Sequence, residues 1–138
     1  MSTDLPSISV SKSRFWTGTI LSGLVVLFLV FDGVTKIIKI APVMEACSEL
    51  GIPSNAVPGI GLLLLVCTAV YAVPQTTVLG AILLTGYLGG ATAIHVRAEN
   101  GVFPIVFALV FGLLVWLGLV LREPRLIGMI LRRGQAPV

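Results

Sequence analysis

Residues 15–38 read FWTGTILSGLVVLFLVFDGVTKII. No charge interrupts the run from Phe15 to Phe31; then Asp32 and Lys36 arrive together, with Lys39 just beyond. At 1.5 Å per residue, an apolar helix of about 20 residues covers the ~30 Å hydrocarbon layer of a bilayer. The stretch is therefore predicted to cross a membrane as a helix over residues 15–38, provided its terminal charges find partners. Asp32 and Lys36 are spaced i,i+4 and Lys36 and Lys39 i,i+3, so one helix face carries all three.

The same pattern recurs along the chain. Three more apolar runs occupy residues 57–73, 78–96 and 102–121. The first break, KIAPVMEACSELGIPSNAVPG, is rich in proline; the others are the short turns QTT and RAENG. With 57% hydrophobic residues, 11% charged residues and a mean hydropathy of +1.07, the chain lies outside the range of soluble domains. Helices are the expected secondary structure, because four strands cannot close a barrel and an open sheet leaves amides unpaired in lipid. The prediction is an all-α integral membrane four-helix bundle forming one domain over residues 1–138. Short interfacial helices are expected over about 42–50 and 124–133, where apolar and charged residues interleave.

The charges give the orientation. Lys12, Arg14, Arg122, Arg125, Arg132 and Arg133 fall on the side of the termini, opposed only by Asp4 and Glu123. On the other side Lys36, Lys39 and Arg97 are offset by Asp32, Glu45, Glu49 and Glu99. The positive-inside tendency puts both termini in the cytoplasm. The net charge of +3 forms no stripe, which argues against nucleic acid as a partner. Lys12 and Arg14 before the first run resemble a secretory signal, but the run is long and lacks an A-x-A site, so a retained anchor is expected.

Two parallel helices bring the deeper ionisable groups to one level. Asp32 lies ~25 Å above Phe15, and His95 stands at a similar rise above Val78. Tyr87, Ala91 and His95 recur at i, i+4 and i+8. A charge inside a bilayer costs at least ~2.5–3.5 kcal/mol unless it is paired or wetted. Asp32, Lys36, Tyr87, His95 and Arg97 are therefore expected to form a polar pocket near the non-cytoplasmic face, walled below by Phe28, Phe31 and Tyr87. Lys39 and Glu99 read as ordinary interfacial charges.

The glycines read as packing positions: Gly86 and Gly90 in a GxxxG spacing, with Gly80, Gly18, Ser22, Gly112 and Gly118 continuing the small-residue theme. Cys47 and Cys67 make neither a disulfide framework nor a zinc spacing. Cys67 reads as a packing residue, and Cys47, in a connecting segment, is a candidate for exposure. No haem, flavin or metal motif is visible, and with His95 as the single histidine a bis-histidine haem cannot form within one chain.

VFDGVTKIIKIAPVMEACSELGIP, VPGIGLLLLVCTAVYAVPQTTVLGAILLTGYLGGATAIHVR and WLGLVLREPRL resemble the DoxX-like small membrane proteins over roughly residues 20–127. LGAILLTGYLGGATAIHVR and FDGVTK carry most of the likeness. The resemblance implies a four-helix membrane protein, usually bacterial, hence a multi-pass protein of the inner membrane. The family is named after a subunit of a thiosulfate:quinone oxidoreductase, and some members are linked to membrane redox or thiol-stress complexes. It places Asp32, Lys36, His95 and Arg97 at the polar positions of the family motifs.

Three functions compete at this stage. The first is a redox-associated protein binding a lipophile such as a quinone, with His95 and Arg97 donating to carbonyl oxygens, Asp32 orienting His95 and Tyr87 lining the pocket. The second is a cofactor-independent isomerase or hydrolase of a lipophilic substrate, with Asp32 as base and His95 or Lys36 as acid. The third is an accessory subunit of a membrane complex in which the charges only lock helices together. A membrane or redox protein, or a second copy of the chain, is the expected macromolecular partner.

Overall fold

A computed structural model describes residues 11–132, with side chains as far as Met129. Asp4 and Arg133, used above for orientation, lie outside the described residues. Six helices follow one another: α1 (Lys12–Ile37), α2 (Ala41–Glu49), α3 (Val57–Ala72), α4 (Thr77–Arg97), α5 (Val102–Arg122) and α6 (Arg125–Arg132). No strand occurs among the described residues. Helices α1, α4 and α5 are long and apolar enough to cross a membrane; α3 is apolar but has only 16 residues. It stops at Ala72 because Val73 precedes Pro74 and is forced into extended backbone. The hydroxyl of Thr76 donates to the Val70 carbonyl (2.8 Å) and that of Thr77 to the Val73 carbonyl (2.9 Å), satisfying acceptors freed by the break.

The long helices form a ring in which each packs on two antiparallel neighbours: α1 on α3 and α5, and α4 on the same two. Helices α1 and α4 therefore run parallel on opposite sides of the ring. In lipid no hydrophobic force draws helices together, so close backbone approach and hydrogen bonds must hold the ring. At the end near the termini these converge on Tyr71, which is completely buried. Its hydroxyl donates to the Val115 carbonyl (2.9 Å) and lies 3.0 Å from Ser22 Oγ. A phenol has one proton, so Ser22 is the donor in the second bond. A Cβ on Gly80 would overlap the Tyr71 backbone, and one on Gly118 would overlap Ser22 Oγ. One tyrosine thus ties together α1, α3, α4 and α5.

Farther along, α1 and α3 cross where a Cβ on Gly61 would sit 2.7 Å from the Gly33 carbonyl oxygen and 2.8 Å from Lys36 Cβ. Gly86 and Gly90 take no part in packing among the described residues of this chain. Neither has any neighbouring described atom within 4 Å of where a Cβ would sit, and Gly89 is equally open. The reason is rotational: at 100° per residue these glycines fall on the exposed flank of α4, away from its buried stripe of Thr77, Ala81, Leu84 and Leu88.

Helices α1 and α4 end alike. Ile40 N–H bonds the Thr35 carbonyl and Asn100 N–H bonds the His95 carbonyl, both at 3.2 Å, the long-range bond of a Schellman cap. The left-handed position is held by Gly51 in α2 (φ 72°), but by Lys39 (φ 56°) and Glu99 (φ 51°) in α1 and α4. A side chain there costs roughly 1–2 kcal/mol. Glu99 is exposed and makes no ion pair among the described residues. Glu99→Gly is therefore expected to stabilise the protein by about 1 kcal/mol in a reversible unfolding titration in detergent; an unchanged or lowered midpoint would refute this account of the cap.

Candidate functional site

A cavity of about 880 Å³ lies at the α2 end. Every helix from α1 to α5 contributes to it. From α1 come Phe28, Asp32 and Lys36; from α4 come Tyr87, Ala91 and His95; α2 lies across it through Val43, Ala46 and Cys47. Most of the wall is apolar. Phe28, Phe107 and Phe111 form an aromatic side, with centroids 4.5 Å apart for Phe28–Phe111, 4.7 Å for Phe107–Phe111 and 5.6 Å for Phe28–Phe107.

The polar groups on this lining are few and distinct. Lys36 Nζ donates to Asp32 Oδ2 at 2.5 Å, the ion pair that the i,i+4 spacing predicts. The ammonium side chain is only 14% exposed and the carboxylate 34%, so the pair is half withdrawn from its surroundings. Lys36 leaves α1 at the tight α1–α3 crossing, where its Cβ lies close to Gly61. His95 stands across the ring on α4, and its Nδ1 is buried with no hydrogen-bond partner among the described residues. Native structures rarely leave such a nitrogen unpaired, and where they do a bound group is one reason. Asp32 and His95 thus line one cavity from opposite walls, and Asp32 is engaged with Lys36 rather than with His95.

Three expectations need correction. Arg97 is not on the cavity: it lines a separate groove of about 440 Å³ with Leu50–Pro53, Ala56 and Ala93. It stands two residues, about 200° of helix rotation, from His95, so the two cannot share a face. Phe31 is 67% exposed and absent from the wall, being turned away from the inward face that Phe28 and Asp32 occupy. Cys47 is buried, at 6% exposure, because α2 folds back over the cavity. That burial pushes the Cys47 thiol upward from its ordinary pKa; Lys36 pulls it down and Asp32 adds to the rise. A thiol so placed stays protonated at neutral pH and is a poor nucleophile.

Other contributors escaped the sequence reading. Phe103, Phe107 and Phe111 recur at i, i+4 and i+8, the same signal that singled out Tyr87 and His95, and all three line the cavity. Cys67 does so too. No group of three His, Cys, Asp or Glu residues able to hold a metal ion occurs among the described residues. The site can therefore offer a carboxylate–ammonium pair, an imidazole, a phenol and flat aromatic walls to a ligand that is mostly apolar.

No curated protein and no solved structure matches the chain. The family model described as DoxX-like family matches residues 20–118, a span that begins inside α1 and ends inside α5, and so takes in every helix that builds the cavity. This integral membrane protein belongs to the DoxX-like family.

Proposed function

We propose that the protein binds the polar head of a lipophilic molecule, a quinone being the best-fitting class, in a redox-associated role in the bacterial inner membrane. One observation carries this reading: an unpartnered imidazole nitrogen and an ion pair, from helices on opposite sides of the ring, line a single aromatic-walled cavity. Its volume falls in the ~300–1,000 Å³ range of sites for drug-sized ligands. His95 and Tyr87 donate hydrogen bonds to carbonyl oxygens on the head, and the Phe28–Phe107–Phe111 side stacks on a flat ring. A bound quinone supplies two-electron, two-proton chemistry, with the electrons coming from a separate membrane redox protein. Asp32 and His95 are the groups of this chain that can hold the protons.

The same reading makes α3 the fourth span. Its outward residues Leu62, Leu63 and Val66 are all more than half exposed and all apolar, as a lipid-facing side requires. Lys12, Arg14, Arg122 and Arg125 then gather at the cytoplasmic end, and the cavity lies toward the opposite face.

Titration of the purified protein in nanodiscs with a tail-less benzoquinone tests the reading. Wild type is expected to bind, and His95→Ala to bind about tenfold more weakly, the loss of roughly one hydrogen bond in a dry site. Equal affinity in the variant would remove His95 from the site. Absence of binding by wild type would overturn the quinone reading and favour an accessory role in a complex.

A further inference from the structure

We propose that the gap between α3 and α4 beside Gly86 and Gly90 is a lateral doorway from the cavity into the lipid, and that the ligand is an amphiphile whose hydrocarbon tail lies in it. This inference rests on the reading above, that a polar head occupies the cavity.

Four observations converge on the gap. Gly86 and Gly90 both line the cavity, yet a Cβ at either would meet no described atom within 4 Å. Gly90 and Gly86 lie about 80° and 120° of helix rotation from Gly80, whose Cβ position meets Tyr71 of α3, so they flank that contact on its outer side. Leu63 of α3 and Ile82 and Leu83 of α4 line the cavity while remaining 54%, 54% and 40% exposed. Residues that belong at once to a cavity wall and to the outer surface mark where that cavity reaches the outside. Phe28, Phe103 and Phe107 do so on the α1–α5 side as well, but there the edge is made of aromatic rings. Finally, every residue at the α3–α4 edge is glycine or aliphatic, so the opening suits hydrocarbon and offers nothing to an ion or a polar head.

The register fixes which part of the ligand goes where. His95 is nine residues beyond Gly86 and five beyond Gly90, about 13 Å and 8 Å along the helix. A head held at the level of His95 and the Asp32–Lys36 pair therefore stands roughly one to two and a half helical turns from the doorway. A cavity of about 880 Å³ takes a drug-sized molecule, not a long-chain lipid entire. The remaining chain must leave, and it leaves at hydrocarbon depth without being exposed to water. Glycine is needed at both positions because any side chain there would project into the opening. The small residues of GYLGGA thus leave the outer edge of the seam open instead of closing it on a neighbour within the chain.

The test uses two probes, a tail-less benzoquinone and its decyl-tailed analogue, with wild type, Gly86→Leu/Gly90→Leu and Gly89→Leu. The leucines face open space, and leucine favours a helix over glycine, so the variants should fold; unfolding midpoints verify this. Gly89 is equally open but does not line the cavity, and so serves as the control. In the double variant the decyl analogue is expected to lose at least about tenfold in affinity, the effect of roughly two methylenes losing their burial. The tail-less probe and the Gly89→Leu variant are expected to behave as wild type. Equal loss of both probes, or unchanged binding of both, would overturn the doorway while leaving the cavity reading intact. Failure of wild type to bind either probe would overturn the cavity reading and the doorway with it.

Discussion

Replacing Gly80 with alanine is expected to cost at least about 3 kcal/mol, and replacing it with leucine to leave no folded protein. An added Cβ would overlap Tyr71 N and Cα, which are main-chain atoms with no rotamer to adopt. Overpacking of this kind usually costs about 1–3 kcal/mol where side chains can shift, and more where they cannot. The helices would have to separate, and separation would also strain the bonds from Tyr71 to Ser22 and Val115, leaving polar groups without partners in a medium that supplies none. The sharp comparison lies six residues away on the same helix. Gly86→Ala meets open space and is expected to stabilise by up to about 1 kcal/mol, because alanine loses less backbone freedom on folding. Unfolding midpoints of the two alanine variants in the same detergent should move in opposite directions. Movement in the same direction would show that the tight crossing at Tyr71 is not what holds α3 to α4.

The second large effect concerns the ion pair. Asp32→Ala is expected to destabilise the protein by about 3 kcal/mol, near the lower limit for breaking a buried pair and near the cost of a lone cation in a membrane. Lys36 would remain, 14% exposed, with its Cβ close to Gly61 of α3 and no second acid bonded to it among the described residues. Removing the cation as well should reverse most of the loss. Asp32→Ala combined with Lys36→Met is expected to be more stable than Asp32→Ala alone, since methionine keeps much of the stem and carries no charge. A double-mutant cycle on unfolding free energies measures this coupling. If the double variant were as unstable as the sum of the single ones, the two residues would be acting separately and the cavity would lose its ion pair as a unit.

Much of the fold is legible in the sequence. Charge-free runs announced the helices, and Pro74 closed one of them through its effect on the residue before it. The i,i+4 spacing put Asp32 and Lys36 on one face, where they pair, whereas the expected orientation of His95 by Asp32 is not made. The likeness in FDGVTK and LGAILLTGYLGGATAIHVR belongs to the family whose model spans residues 20–118. For the candidate site, Asp32, Lys36, Tyr87 and His95 line one cavity, and that this cavity holds a ligand is the proposal made above. Arg97 was misplaced although its two-residue separation from His95 argued against a shared face. Phe103, Phe107 and Phe111 were missed because phenylalanines in an apolar run carry no contrast against their neighbours.

What the linear sequence determined by itself is local: where helices start and stop, which residues lie three or four apart, and how deep along a helix each charge sits. Tertiary structure alone decided the rotation of each helix within the ring. In water, rotation is written into the sequence, because one face is greasy and the other polar; in a bilayer both the interior and the surroundings are apolar, so Phe28 and Phe31 look alike until the helices are packed. For the same reason Gly80, where a Cβ would meet the Tyr71 backbone, and Gly86, where it would meet open space, are one letter in opposite surroundings.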